Sequence, residues 1–238
     1  EASEAYWTGH ETEAVFDRQL ALGMPVQTQP PEDMAEPAAG AWTAWADGAT
    51  ASATYDTAMK IAGDASVHFV TDGGFDTYVR YPQDYNARWD LSGAASLTLS
   101  VYADNQNVHR FQSGSPWIRL VDADGDFYQY QYYVNGSPIN FLNEAIGNWQ
   151  TYVIPLQASG PDPSGHSEGW IRTVQGAPDI TRMHLLEFHS DTWDYGFQLW
   201  LDGVRFEAGL AALPDKYTVA HSETLDVSPA AGLLKNDS

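Results

Sequence analysis

From residue 66 to residue 206 short runs of strand-forming residues recur, and the clearest of them alternate in character from one position to the next. Ser96–Ala103 is the plainest: Leu97, Leu99 and Val101 fall on one side, Thr98, Ser100 and Tyr102 on the other. A period of two sends successive side chains to opposite faces of an extended strand, one face for a core and one away from it. Runs of the same kind, rich in Val, Thr, Tyr, Phe and Trp, cover Ser66–Thr71, Thr77–Tyr81, Trp117–Asp122, Phe127–Val134, Trp149–Pro155, Arg182–His189 and Gly196–Phe206. Clusters of Gly, Asp, Asn and Pro separate them and end the strands. Strands do not alternate with helical patterns, so a parallel α/β sheet is excluded. The predicted fold class is all-β, a β-sandwich, preceded by a mostly irregular N-terminal arm.

The two ends read differently from the middle. Glu11–Leu22 has a short helical pattern, with Val15, Phe16, Leu20 and Leu22 as apolar contacts, ended by Gly23 and Pro25. Gln27–Gly40 is Pro- and Ala-rich and reads as an extended linker. The predicted division is an arm or linker over 1–40, the sandwich over 41–207, and a linker with the start of a further unit over 208–238. Whether the arm folds back stays open.

Composition excludes several function classes. Acidic residues number 32 against 11 basic ones, a net charge of −21. Such a surface repels nucleic acid and anionic membranes, suits a saline setting where screening is strong, and offers carboxylates for calcium. With no cysteine there are no disulfides, no thiol catalysis and no cysteine-held zinc. No apolar run of about 18 residues is present, so no membrane-inserting helix is expected, and no basic-then-apolar export signal opens the chain.

Four motifs, taken in order, resemble a known family. Gly63-Asp-Ala-Ser-Val-His-Phe69 and Trp89-Asp-Leu-Ser92 are similar to the first half of jelly-roll carbohydrate-binding modules with a galactose-binding-like fold. Trp149-Gln-Thr-Tyr-Val-Ile-Pro-Leu156 resembles their W-x-x-x-x-I-P-L strand, and Trp200-Leu-Asp-Gly-Val-Arg-Phe206 their closing strand. The likeness implies a jelly roll over roughly residues 41–207 and a structural Ca2+ held by Asp202, with Asp64 or its backbone as neighbour. Calcium takes six to eight oxygens, which carboxylates and backbone carbonyls supply. The tail also resembles a family. Asp215-Lys-Tyr217, Leu225-Asp-Val227 and Gly232-Leu-Leu-Lys-Asn-Asp237 resemble the opening of a cadherin-like or bacterial immunoglobulin-like repeat. That resemblance implies a secreted or cell-surface multidomain protein, with other domains of the parent chain as neighbours.

A sugar-binding face needs aromatic rings and polar side chains together, and the chain has 9 Trp and 13 Tyr. In Phe127–Tyr133, Tyr128, Tyr130 and Tyr132 share one face and Gln129 and Gln131 the other. The sequence leaves open which face meets a ligand. Tyr102, Trp117, Arg119, Glu187 and His189 are candidates on neighbouring strands, because long polar side chains on a buried face are costly unless they serve a groove. Trp193 and Tyr195, in the loop 190–196, and Trp170 are candidate rim platforms.

Catalytic readings fare poorly. Asp122-Ala-Asp-Gly-Asp126 has its glycine fourth, whereas a calcium-binding EF-hand loop needs it sixth, so a hairpin turn is expected. Glu187, Asp191 and Asp194 lack the spacing of the jelly-roll glycosidases, and no zinc, G-x-S-x-G, P-loop or dinucleotide motif appears. The expected function is non-catalytic polysaccharide binding. The alternative is a structural or adhesive module that self-assembles by strand addition near Tyr217–Val227.

Overall fold

The computed structural model describes residues 28–112 and 114–208. The helical pattern at 11–22, the strand near 217–227 and the repeat-like tail lie outside those residues. The described chain is a sandwich of two antiparallel sheets.

Twelve strands build it: β1 (Thr43–Ala46), β2 (Ala51–Asp56), β3 (Ser66–Thr71), β4 (Thr77–Tyr81), β5 (Ala94–Asp104), β6 (Trp117–Asp122), β7 (Phe127–Val134), β8 (Ser137–Pro138), β9 (Gln150–Pro155), β10 (Gly169–Gln175), β11 (Met183–His189) and β12 (Phe197–Ala208). The seven-stranded sheet runs β1-β4-β11-β6-β7-β10, with β8 paired to β7. The five-stranded sheet runs β2-β3-β12-β5-β9. Every predicted run is a strand, and β3, β4, β6 and β7 have the predicted bounds. Sequence reasoning passed over β1, β2, β8 and β10. The Trp170 that it placed on a rim lies in β10, with its ring edge-on to Tyr132 and Phe141 and packed against the core.

The alternation sorts the core as expected. Leu97, Leu99 and Val101 of β5 meet Val79, Tyr81, Ile118, Leu120, Leu186 and Phe188 of the facing sheet, all buried. Tyr128, Tyr130 and Tyr132 also point inward. Tyr130 is fully buried, and its hydroxyl donates to the Leu156 carbonyl at 3.0 Å. Tyr128 donates to the Pro178 carbonyl at 2.9 Å. Both were candidate ligand groups; their side chains instead fill the interior, because β7 lies in register with β6 so that Tyr130 sits beside Ile118 and Tyr128 beside Leu120.

Part of the Pro-rich stretch is built into the sandwich. Met34 and Ala35 are fully buried. Met34 donates its N–H to the Val204 carbonyl at 2.7 Å, and the Trp42 indole donates to the Met34 carbonyl at 2.8 Å. The Asp122–Asp126 segment is the hairpin turn between β6 and β7. One Asp122 oxygen accepts the N–H groups of Asp124 and Asp126 at 2.9 and 3.0 Å, and Gly125 takes the left-handed conformation the turn requires.

Candidate functional site

The outer face of the seven-stranded sheet carries two parallel rows of side chains. Cross-strand register aligns Thr43 with Arg80, Arg80 with Glu187, Glu187 with Arg119, Arg119 with Gln129 and Gln129 with Thr173. This polar row crosses six strands. Two residues along each strand, register aligns Trp45 with Tyr78, Tyr78 with His189, and His189 with Trp117. That row is aromatic. Side chains directly opposite each other on one face are close enough to interact.

Both rows are bonded along their length. The Arg80 guanidinium donates to Glu187 Oε2 at 2.5 Å, and Arg119 Nη1 lies 3.7 Å from Glu187 Oε1. Arg119 Nε donates to Gln129 Oε1 at 2.8 Å, Gln129 to Gln131 at 3.1 Å, and Gln131 to the Gly114 carbonyl at 2.6 Å. In the aromatic row Trp45 stacks on Tyr78 at 5.0 Å, Tyr78 tilts towards His189 at 5.5 Å, and His189 stacks on Trp117 at 4.1 Å. Stacking along the row turns ring faces towards one another, so ring edges rather than open aromatic faces point away from the sheet.

Glu187 is the centre of this face and is 2% exposed. Burial opposes its ionisation, but Arg80 first, then His189 and Arg119, outweigh burial and hold its carboxyl below the ordinary value. Three buried atoms here have no hydrogen-bond partner: Glu187 Oε1, His189 Nδ1 and Trp117 Nε1. An acceptor, a donor and an imidazole nitrogen thus stand unsatisfied within a few residues of one another, where buried polar groups are ordinarily paired.

The structure brings together six of the predicted site residues: Trp117, Arg119, Gln129, Gln131, Glu187 and His189. Sequence reasoning missed Thr43, Trp45, Tyr78, Arg80 and Thr173. The alternation within Thr77–Tyr81 already placed Tyr78 and Arg80 opposite the core residues Val79 and Tyr81. Tyr102 lies elsewhere, on the outer face of the five-stranded sheet, in a second row with Trp149, Trp200 and His68. Trp193 and Tyr195 lie in the loop after β11 and are 52% and 46% exposed.

The calcium expected at Asp202 meets a different set of contacts. Asp202 is fully buried; one oxygen accepts the N–H groups of Ile61 and Ala62 at 2.6 and 3.0 Å, and the other accepts that of Gly203 at 2.7 Å. The backbone carbonyls of Gly63 and Asp64 accept from the Lys60 ammonium at 2.9 and 2.8 Å. An ammonium therefore takes the carbonyls that a cation would need, and this donor set does not fit calcium. Among the described residues, the group of His and carboxylate side chains close enough to share an ion is Asp76, His189 and Asp191.

No family model matches the sequence, and no curated protein matches it. Solved structures align with it at low identity. The family 11 carbohydrate-binding module of a cellulosomal cellulase of Clostridium thermocellum aligns over 71% of this chain and 88% of that one, at 13% identity and a TM-score of 0.42. An exo-β-agarase aligns over 76% of this chain, at 13% identity and a TM-score of 0.49; the match spans only 26% of that chain. A cellulose-induced protein aligns over 70% of this chain and 90% of that one, at 12% identity and a TM-score of 0.39. Likenesses this loose do not bear on function.

Proposed function

We propose that the chain binds uncharged polysaccharide, without catalysis, on the outer face of its seven-stranded sheet. One observation carries the reading: a polar row centred on a buried, ion-paired glutamate, flanked by an aromatic row, with an acceptor, a donor and an imidazole nitrogen left unsatisfied between them. A sugar hydroxyl both donates and accepts, so it suits the half-buried polar side chains that surround these atoms. Arg119, Gln129 and Gln131 extend the hydrogen-bonding edge, and the exposed Trp193 and Tyr195 supply ring faces that the stacked row withholds. Anionic glycans are disfavoured by the net charge of −21.

The same site argues against glycoside hydrolysis. A general acid needs a carboxyl whose pKa is pushed up, and Glu187 is pushed down by its arginines. The chain would thus serve as a targeting module of a secreted or cell-surface protein, beside further domains of its parent.

The test is binding of the full chain to a panel of neutral and anionic polysaccharides, with Trp117→Ala and Gln129→Ala variants. Losing a hydrogen bond to the ligand at either position should weaken binding about 10-fold. Binding that neither variant changes, or self-association with no glycan bound, overturns the proposal; the second outcome favours a structural module.

A further inference from the structure

The geometry points to a first-row divalent metal site, of the kind zinc occupies, formed by Asp76, His189 and Asp191 at the end of β11. It does not depend on the polysaccharide reading. The ligand atoms of these three residues lie within 4.8 Å of one another, and His189 Nδ1 is 3.6 Å from Asp191 Oδ1. Two ligands bound at about 2.1 Å to a tetrahedral ion sit about 3.4 Å apart. The His189–Asp191 pair therefore already has the required separation. Asp76 is partly exposed, and a turn of its side chain would close the remaining gap.

Two further observations point to an ion. His189 Nδ1 is buried and without a hydrogen-bond partner, and its side chain is only 7% exposed. On the far side of the ring, Nε2 lies 3.8 Å from Glu187 Oε1, the carboxylate oxygen that also lacks a hydrogen-bond partner. Metal at Nδ1 leaves the ring proton on Nε2, aimed at Glu187. A small closure then makes the carboxylate–histidine–metal arrangement that fixes a ligand's tautomer and orientation. The ion would occupy His189 Nδ1, and the ring N–H would then face Glu187 Oε1.

The supporting frame is rigid. Asp191 Oδ1 accepts the Thr77 N–H at 2.8 Å, the Asp191 N–H donates to Ser115 Oγ at 2.9 Å, and its carbonyl accepts from the Gln112 N–H at 2.8 Å. Trp117 stacks on the His189 ring at 4.1 Å and fixes its plane. The donor set selects the metal. An imidazole with two carboxylates suits zinc and its neighbours, whereas calcium and magnesium prefer all-oxygen shells. Three protein ligands leave a coordination position for water or a ligand hydroxyl.

The full chain, stripped with chelator, would be titrated calorimetrically with Zn2+ and, separately, Ca2+ at about 0.15 M NaCl to screen the surface charge. The expected result is one Zn2+ per chain, with Ca2+ in excess failing to displace it. Asp191→Asn keeps an oxygen for the Thr77 N–H, and Asp76→Asn changes a partly exposed group; each should weaken Zn2+ binding at least about 10-fold, as should His189→Gln. If His189→Gln does not fold, the two asparagine variants decide. Zn2+ affinity unchanged in Asp76→Asn and Asp191→Asn, more than one equivalent sites per chain, or displacement by equimolar Ca2+ overturns the assignment. Polysaccharide binding is scored separately, so that its failure leaves this result standing.

Discussion

Glu187 and His184, three residues apart on β11, are buried for different reasons and answer pH differently. Glu187 keeps its charge because Arg80 and Arg119 flank it in register. Removing one partner of a buried pair leaves the other charge uncompensated, so Glu187→Ala should cost about 3–5 kcal/mol, read from the denaturant midpoint. His184 faces the other way, its Nδ1 donating to the Ala87 carbonyl at 3.0 Å and its ring stacked on Tyr85. Burial lowers its pKa from 6.5 to about 4. The folded chain therefore refuses a proton that the unfolded chain accepts. Stability from this group is full above pH 6.5 and is lost as pH falls towards about 4, a total of about 3 kcal/mol. Glu187 acts lower: its depressed pKa contributes stability above its ordinary value of 4.5, lost as pH falls through the lowered one. Urea unfolding followed from neutral pH downwards should show two limbs. His184→Asn, which retains a donor for Ala87, should flatten the upper limb only; an unchanged upper limb would remove His184 as its source.

At the scale of the strand, the alternation of β7 separates stability from binding. Tyr130→Phe removes the hydroxyl bonded to Leu156 and should cost about 1 kcal/mol while leaving glycan affinity alone. Gln129→Ala, one residue away, should do the reverse, and calorimetric titration beside thermal melts of both variants checks the pair. The sequence showed that these neighbours oppose each other but not which faces inward, because tyrosine suits a half-buried strand on either side. The decision comes from β6, whose Ile118 and Leu120 lie beside Tyr130 and Tyr128. Local period was enough for β3, β4, β6 and β7. It could not reveal the two rows, which exist only through the pairing of β1, β4, β11, β6, β7 and β10, drawn from residues 43 to 189. β10 escaped notice because it opens on Gly169, directly after a loop rich in Gly, Pro and Ser. Asp76 carried no motif at all; the antiparallel pairing of β4 with β11 sets it beside Asp191.

For the molecule as a whole, charge sets the balance between attraction and repulsion. The chain carries −21, so most carboxylates have no basic partner to meet. Of the ion pairs among the described residues, Arg182–Asp124 is exposed, with the aspartate side chain 62% accessible, and Arg205–Glu207 is nearly half exposed on both sides. Exposed pairs of this kind contribute about 0–1 kcal/mol and weaken further in salt. The Arg80–Glu187 pair is shielded from salt by burial. Added salt therefore has little attraction to remove and much repulsion to screen. Raising NaCl from about 20 mM to about 0.5 M at neutral pH should raise the melting temperature by a few degrees, the shift that about 1 kcal/mol produces in a domain of this size. The rise should shrink near pH 4, where many surface carboxylates are protonated and the repulsion is already relieved. A melting temperature that falls with salt would mean that attractive pairs outweigh the net charge. The salt dependence also bears on the setting: a fold held back by its own charge at low ionic strength works best where salt is plentiful.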